Sequence, residues 1–215
     1  TQMSIRVGVN TDSMLVQPKM EIPGLDLVTG VQHYEEEVRG SRFTVAASSF
    51  FQVNTSQLSR AVDEVRELLE LRGDEVMVDA YCGVGVFAVL MSPYVKRVVG
   101  IEESVSAIED ANLNLNGATN VEFIEGKTEH VMADWQDEDS VDVLLLDPPR
   151  VGCHPDVLES VKKLQPKKVL MISCEPAAMA RDLDLLCDGG MYQLDTVRPV
   201  DMFPQTRHVE TISVL

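Results

Sequence analysis

Four stretches of this chain carry residues whose types and spacing could do chemistry. The first is Asp79-Ala80-Tyr81-Cys82-Gly83-Val84-Gly85-Val86-Phe87-Ala88, directly after an apolar run. Small residues there let the backbone turn sharply and bring a ligand against the N-terminus of the next helix. Gly83, Gly85 and Ala88 satisfy the GxGxxG/A dinucleotide pattern, and Glu102 closes the next apolar run about 20 residues on, where a carboxylate can accept both ribose hydroxyls. Together they imply an adenosine-containing cofactor, with NAD and S-adenosylmethionine both open. The second stretch is Asp147-Pro148-Pro149-Arg150-Val151-Gly152, where two prolines stiffen the backbone just past a strand end. The third, Ser173-Cys174-Glu175-Pro176, sets a thiol at a strand edge ahead of a helix start, a place where its pKa can fall and it can act as a nucleophile. In the fourth, Asp201 to Glu210, His208 and Glu210 are candidate general bases. Cys82, Cys153 and Cys187 read as buried, inert thiols.

These groups need a frame, and the hydrophobic pattern supplies one. Val76–Ala80, Arg97–Ile101, Val121–Ile124, Val141–Leu146 and Lys168–Ser173 read as strands, the fourth buried on both faces. Helical patterns lie between them at Val86–Met91, Val105–Asn116, Asp156–Leu164 and Ala177–Leu186. The alternation predicts right-handed crossovers and an α/β, doubly wound, mostly parallel sheet. Tyr192–Val197 and His208–Leu215 have no helix between them and predict a closing antiparallel hairpin. Upstream, a capping Asn54-Thr55-Ser56, an apolar stripe from Leu58 to Leu69 and a terminating Gly73 predict one helix of about four turns. Residues 1–45 read as a β-rich N-terminal extension, or the remnant of a preceding central domain, with β-like runs at Ser4–Val9, Leu25–Tyr34 and Phe43–Ala47. They are too few for a core of their own, so they either end such a domain or extend the main sheet. Residues 46–215 form the expected catalytic domain.

Composition bounds the rest. The chain has 215 residues, 45% hydrophobic and 25% charged, which excludes a disordered chain. No stretch approaches the roughly 20 apolar residues of a membrane span. Four cysteines without a CxxC pair, and an opening without a cleavable apolar core, point to reduced thiols in the cytoplasm and offer no metal site. The opening Thr1 suggests a piece of something longer. A net charge of −17 opposes nucleic-acid binding. Against it, Arg150, Lys162, Lys163, Lys167, Lys168, Arg181, Arg198 and Arg207 gather in the C-terminal third of the sequence, where a substrate face is expected.

Five segments in order resemble the RNA 5-methyluridine methyltransferases, S-adenosylmethionine-dependent enzymes acting on ribosomal or transfer RNA. They are Ser49-Phe50-Phe51-Gln52-Val53-Asn54, Asp79 to Phe87, Asp147 to Gly152, Ser173 to Pro176 with Ala180-Arg181-Asp182, and Asp201 to Glu210. The resemblance runs from about Phe43 to Leu215. It implies a class I methyltransferase fold, S-adenosylmethionine as cofactor and RNA as partner. By similarity, Cys174 adds to carbon 6 of a uridine and Glu210 later removes the proton from carbon 5. Gln52, Tyr81, Glu102 and Asp147 fall at the family's cofactor contacts. Phe50 matches an aromatic that stacks on the flipped base, with Arg150 beside it on the substrate side. His208 reads as structural. The family's separate RNA-binding domain has no counterpart here. Either that portion supplied the basic surface, or the source organism favours acidic proteins.

Rival classes explain less. Amino-group methyltransferases carry an aromatic where Arg150 stands. The 5-methylcytidine enzymes use a cysteine after a proline where this chain has Pro149-Arg150. An NAD-dependent oxidoreductase leaves Cys174 and Glu210 without a role. A cofactor-binding fragment, inactive without its RNA-binding domain, stays open.

Overall fold

The strand Val143–Leu146 shows how the core is built: all four residues are buried, and alternate side chains serve opposite faces of one sheet. Val143 and Leu145 enter one apolar cluster, while Leu144 and Leu146 enter another. The computed structural model describes residues 3–21, 23–136 and 140–215. Two opening residues and residue 22 of the expected N-terminal extension therefore lie outside the described residues.

In chain order the described elements begin with β1 (Ser4–Val7), β2 (Met14–Gln17), β3 (His33–Val38), β4 (Ser41–Ala46) and α1 (Thr55–Leu69). The nucleotide-binding half follows as β5 (Val76–Ala80), α2 (Val86–Met91), β6 (Arg97–Glu102), α3 (Val105–Leu113), β7 (Val121–Glu125) and α4 (Thr128–Ala133). The second half is β8 (Val143–Leu146), α5 (Pro155–Leu164), β9 (Lys168–Ser173), α6 (Pro176–Cys187), β10 (Thr196–Val200) and β11 (Glu210–Val214). Seven strands form one sheet in the order β10-β11-β9-β8-β5-β6-β7. Strands β5 to β9 are parallel; β11 runs antiparallel to β9, and β10 antiparallel to β11. The chain winds outward from β5 to β7 and then returns to β8 on the other side of β5. That reversal opens a crevice at the carboxyl ends of β5 and β8, the usual ligand position in open α/β sheets.

One face of the sheet packs on α1 through Leu58, Val62 and Val65; the other packs on α5 and α6 through Val157, Val161 and Leu183. Helix α1 starts as expected, with the Asn54 side chain accepting from Gln57 N. Its end differs: Glu70, in the left-handed region at φ 50°, closes it three residues before Gly73. Lys168 Nζ then donates to the freed carbonyls of Leu68 and Leu69, work that a C-capping glycine turn would otherwise have done.

The N-terminal segment departs most from expectation. Its strands form two separate hairpins, β1–β2 and β3–β4, and neither joins the seven-stranded sheet. A strand occupies only the end of the run 25–34, beginning at His33, while Met14–Gln17 forms one that its short, mixed sequence did not signal. Helix α4, only six residues long, also passed unsignalled, and β10 starts at Thr196 rather than Tyr192. The β3–β4 hairpin docks on α3 through side chains acting as a substitute strand. Asn114 Oδ1 accepts from Thr44 N (2.7 Å), its Nδ2 donates to Thr44 O (3.1 Å), and Asp110 Oδ2 accepts from Ala46 N (2.8 Å). Leu15, Tyr34, Phe43 and Val45 thereby enter the same apolar cluster as α1.

One turn is under close steric control. Gly152 has φ +88°, and a Cβ there would collide with Arg181 Nη2 and stand 2.5 Å from Asp182 Oδ2. Asp182, fully buried, accepts from Cys153 N (2.8 Å) and pairs with Arg181, whose Nη2 also donates to Val151 O (2.9 Å). Replacing Gly152 with Ala is expected to cost about 3 kcal/mol through backbone strain and a displaced ion pair. Thermal unfolding should show a Tm lowered by roughly 10 °C; an unchanged Tm would show that the turn relaxes freely.

Candidate active site

The crevice encloses about 1200 Å³ and is lined by residues from both halves of the sheet. Its nucleotide side is the turn after β5. Tyr81, Gly83 and Gly85 all have positive φ (65°, 54° and 83°), and a non-glycine residue in that region is held there by its surroundings. The two glycines serve different ends. Around Gly83 a Cβ would meet nothing within 4 Å, and the residue lines the cavity, so its bareness leaves room for a ligand. Gly85 lies off the cavity lining; a Cβ there would sit 2.7 Å from Phe123 Cζ. In this structure Gly85 packs under Phe123 and is not among the residues lining the cavity.

Glu102, at the end of β6, accepts from Gly83 N through Oε2 (3.1 Å) and from Ser104 N through Oε1 (2.8 Å). It anchors the turn while each oxygen keeps lone pairs for a ligand in the cavity. Gln52 reaches the same cavity from the loop before α1, and its Oε1 is buried with no hydrogen-bond partner among the described residues. A buried acceptor left unmatched costs free energy unless a ligand donor meets it. Asp79, which sequence reasoning did not single out, is fully buried at the end of β5 and accepts from Ala88 N (2.8 Å). Burial pushes its pKa up to about 7. Its role is to hold the start of α2 under the glycine turn.

The chemical side is decided by strand register. Thr211 on β11 pairs with Ser173 on β9, and the Thr211 hydroxyl donates to Ser173 O (2.9 Å). Glu210 opens β11 and Cys174 directly follows β9, so both stand at the carboxyl edge of the parallel strands. Both line the cavity, with Asp147 from the end of β8. Glu210 is only 2% exposed, and burial lifts its pKa to about 7. Asp147 is pushed well up by burial and then by the charges of Glu210 and Asp79. The half-buried Cys174 thiol is raised rather than lowered as its strand-edge place suggested, by burial and by Glu210, and a hydrogen bond from Arg150 and its positive charge offset only part of that rise. Arg150 therefore lies on the cavity lining close enough to act on the thiol. Cys82 and Cys153 are buried and their thiols are pushed up, as inert core cysteines should be; Cys187 is only partly buried.

At the mouth, Phe50 is 69% exposed and lines the cavity with Val53 and Phe203. His208 sits edge-on to Phe203 with ring centroids 6.1 Å apart, outside the cavity lining, a packing position. The expected basic face disperses. Lys167 pairs with Asp142 and Lys168 caps α1, both at the far edge of the sheet, and Arg198 is bound by Glu64 and Glu67. Of the eight cations, only Arg150 and Arg181 line the cavity. Among the described residues no group of His, Cys, Asp and Glu could hold a metal ion, and no helix is long and apolar enough to cross a membrane.

A parallel sheet closed by a reversed strand, with its glycine turn and acidic strand end facing one crevice, places this chain in the class I methyltransferase fold. Comparison with known proteins narrows that class. The model of the tRNA (uracil-5-)-methyltransferase family matches residues 31–215, and the chain belongs to this family. An RNA methyltransferase of Listeria innocua is 42% identical over 184 residues, 84% of this chain and 40% of that protein. Among solved structures, the Pyrococcus abyssi tRNA (uracil-54, C5)-methyltransferase in complex with S-adenosyl-L-homocysteine superposes with a TM-score of 0.80. It is 25% identical and covers 99% of this chain and 59% of its own. M. jannaschii TYW2 in complex with AdoMet shares the fold alone, at 16% identity, a TM-score of 0.61, and 98% and 97% coverage. The chain spans about two fifths of the length of the curated relatives it matches.

Proposed function

We propose that this chain is the catalytic part of an RNA methyltransferase that adds a methyl group to carbon 5 of a uridine in rRNA or tRNA. Residues 46–215 carry the catalysis in this reading, and residues 1–45 are a β-rich extension that braces them. The observation behind it is that a thiol just past the end of β9 and a buried carboxyl at the start of β11 line one nucleotide-sized cavity.

The cavity suits S-adenosylmethionine: Gly83 leaves open space, Gln52 presents an unmatched acceptor, and Tyr81, Glu102 and Asp147 complete the lining. Bound there, the cofactor supplies an electrophilic methyl group on a sulfonium. The chain's own residues do the rest. Carbon 5 of uridine is a weak nucleophile until something adds to carbon 6. The Cys174 sulfur bonds to carbon 6, and the displaced electron pair moves into an enolate with density at carbon 5. The attack requires the thiolate, and Arg150 offsets part of the rise that burial and Glu210 impose on it. After carbon 5 is methylated, Glu210 takes its remaining proton, the electron pair reforms the ring double bond, and the carbon 6–sulfur bond breaks. Phe50, exposed at the mouth, offers a face on which an extruded base can stack.

RNA carrying 5-fluorouridine tests this reading, because fluorine on carbon 5 cannot be removed as a proton. With S-adenosylmethionine present, intact mass should show a covalent RNA adduct mapping to Cys174. Cofactor binding without any adduct, for this chain and for a full-length relative, would sink the uridine reading.

A further inference from the structure

The loop 47–53 carries Phe50 and Gln52 into the cavity but belongs to no helix or strand. Irregular backbone has no ladder of its own. Here Ala47 N donates to Gln32 O (3.2 Å), Ser49 N to Ala46 O (3.2 Å) and Phe51 is buried in the core, and side chains from elsewhere meet the loop's carbonyls. At its far end, Asn54 caps α1 and its Nδ2 donates to Met202 O (3.2 Å). At its near end one side chain serves three carbonyls. Arg6, on β1, donates through Nη1 to Ser49 O (2.6 Å) and Ala46 O (3.4 Å), and through Nη2 to Ala47 O (3.2 Å). Its guanidinium also lies over the Tyr34 ring of β3, 5.8 Å from the centroid.

The attachment of β1 is itself built. Glu36 on β3 is 2% exposed, and its carboxylate accepts from Val9 N (2.8 Å), Asn10 N (3.1 Å), Glu37 N (3.1 Å) and Thr55 Oγ1 (3.0 Å). Thr55 is the first residue of α1, so this one buried acid ties the β1–β2 hairpin to both β3 and the helix that follows the loop. Ser49, 1% exposed, has its hydroxyl 3.4 Å from Ser106 Oγ on α3. Arg6 therefore closes a clamp whose other jaw is the nucleotide-binding half of the sheet.

We propose that Arg6 is a positioning residue for the methyltransferase site: its guanidinium fork gathers the carbonyls of residues 46, 47 and 49 and so holds Gln52 and Phe50 at the cavity. The inference rests on the reading of that cavity as a cofactor site. It assigns a function to the hairpin ahead of residue 31, where the family match begins. A planar guanidinium can serve three carbonyls at once; an ammonium is a single point charge and a thioether offers no donor.

The test uses R6M, R6K and, as a control, R66M, which removes another arginine stacked on a tyrosine (Arg66 over Tyr94, 5.7 Å) off the cavity lining. Calorimetry reads the Kd for S-adenosylhomocysteine, and hydrogen exchange reads amides 47–53 against those of β5. R6M is expected to weaken binding about tenfold, with R6K between it and wild type, since small misplacement of a positioning group is costly. Exchange should rise at 47–53 while β5 stays protected, and R66M should bind as wild type does. A wild type that binds and an R6M variant that matches it would overturn the inference alone. Faster exchange throughout β5 in R6M would likewise overturn it, showing a general loss of stability. A wild type that fails to bind S-adenosylhomocysteine would overturn the cofactor reading and the inference together.

Discussion

Replacement of Cys174 by Ala is expected to abolish methyl transfer, by about 10⁴-fold or more, while leaving S-adenosylhomocysteine affinity within about twofold of wild type. The asymmetry follows from where the residue stands. Cys174 is at the edge of β9, whereas the turn after β5, Glu102 and Gln52 belong to the nucleotide side of the cavity. Without the thiol, carbon 5 of uridine is not activated. Ser at this position keeps the shape but not the acidity, and should be nearly as inactive as Ala. Arg150→Ala should be milder, because it only raises the cost of forming the thiolate that Arg150 favours. Substantial turnover by C174A in a single-turnover assay would remove the covalent mechanism.

The second large effect belongs to Glu210. Gln keeps its volume but cannot take a proton from carbon 5, so E210Q should still form the Cys174 adduct and then fail to release it. With ordinary uridine RNA, turnover should fall about 10³-fold while adduct accumulates, a result opposite to that of C174A. The pH dependence carries a second signature. Burial raises the Glu210 pKa from 4.5 to about 7, so the base becomes available as pH rises through 7, and turnover should climb over that range. Stability should move the other way. The folded state binds the proton more tightly than the unfolded chain, so between about 4.5 and 7 it holds more protons and loses stability as pH rises. Above 7 the lost stabilisation from this one group amounts to roughly 3 kcal/mol. Asp79 adds a slope of the same sign, its pKa also being pushed to about 7. Urea unfolding of wild type and E210Q at pH 5 and pH 8 checks this. E210Q should show the smaller difference between the two, and equal differences would mean that Glu210 is not perturbed.

What the residues reveal on their own is governed by range. The strand Val76–Ala80 and the helix Val86–Met91 fall where the apolar runs and the glycine turn place them. Their hydrophobic periodicity and turn chemistry are local properties. The start of α1 was equally legible, because Asn54 acts on an amide three residues away. Its end was not: a lysine one hundred residues further along the chain satisfies the terminal carbonyls that the Gly73 expectation assumed a glycine would close off. Short elements suffered most. Neither four residues at Met14–Gln17 nor six at Thr128–Ala133 contain enough of a period to read, and both are stabilised by packing rather than propensity.

The site divides along the same line. Residue identities and their local order were enough for the fold class, the glycine turn with Glu102, and the chemical types of Cys174 and Glu210. Each is carried by residue identity within a short window. That Cys174 and Glu210 line one cavity is a product of folding, because it depends on β11 pairing beside β9 at the end of the sheet. Folding also separated the two glycines, giving Gly83 to the cavity and Gly85 to Phe123. The same packing scattered a sequence-clustered set of cations to opposite edges of the sheet and brought Arg6 onto the loop that carries Gln52. Neighbourhoods of this kind arise when distant elements share one core, and no local pattern encodes them.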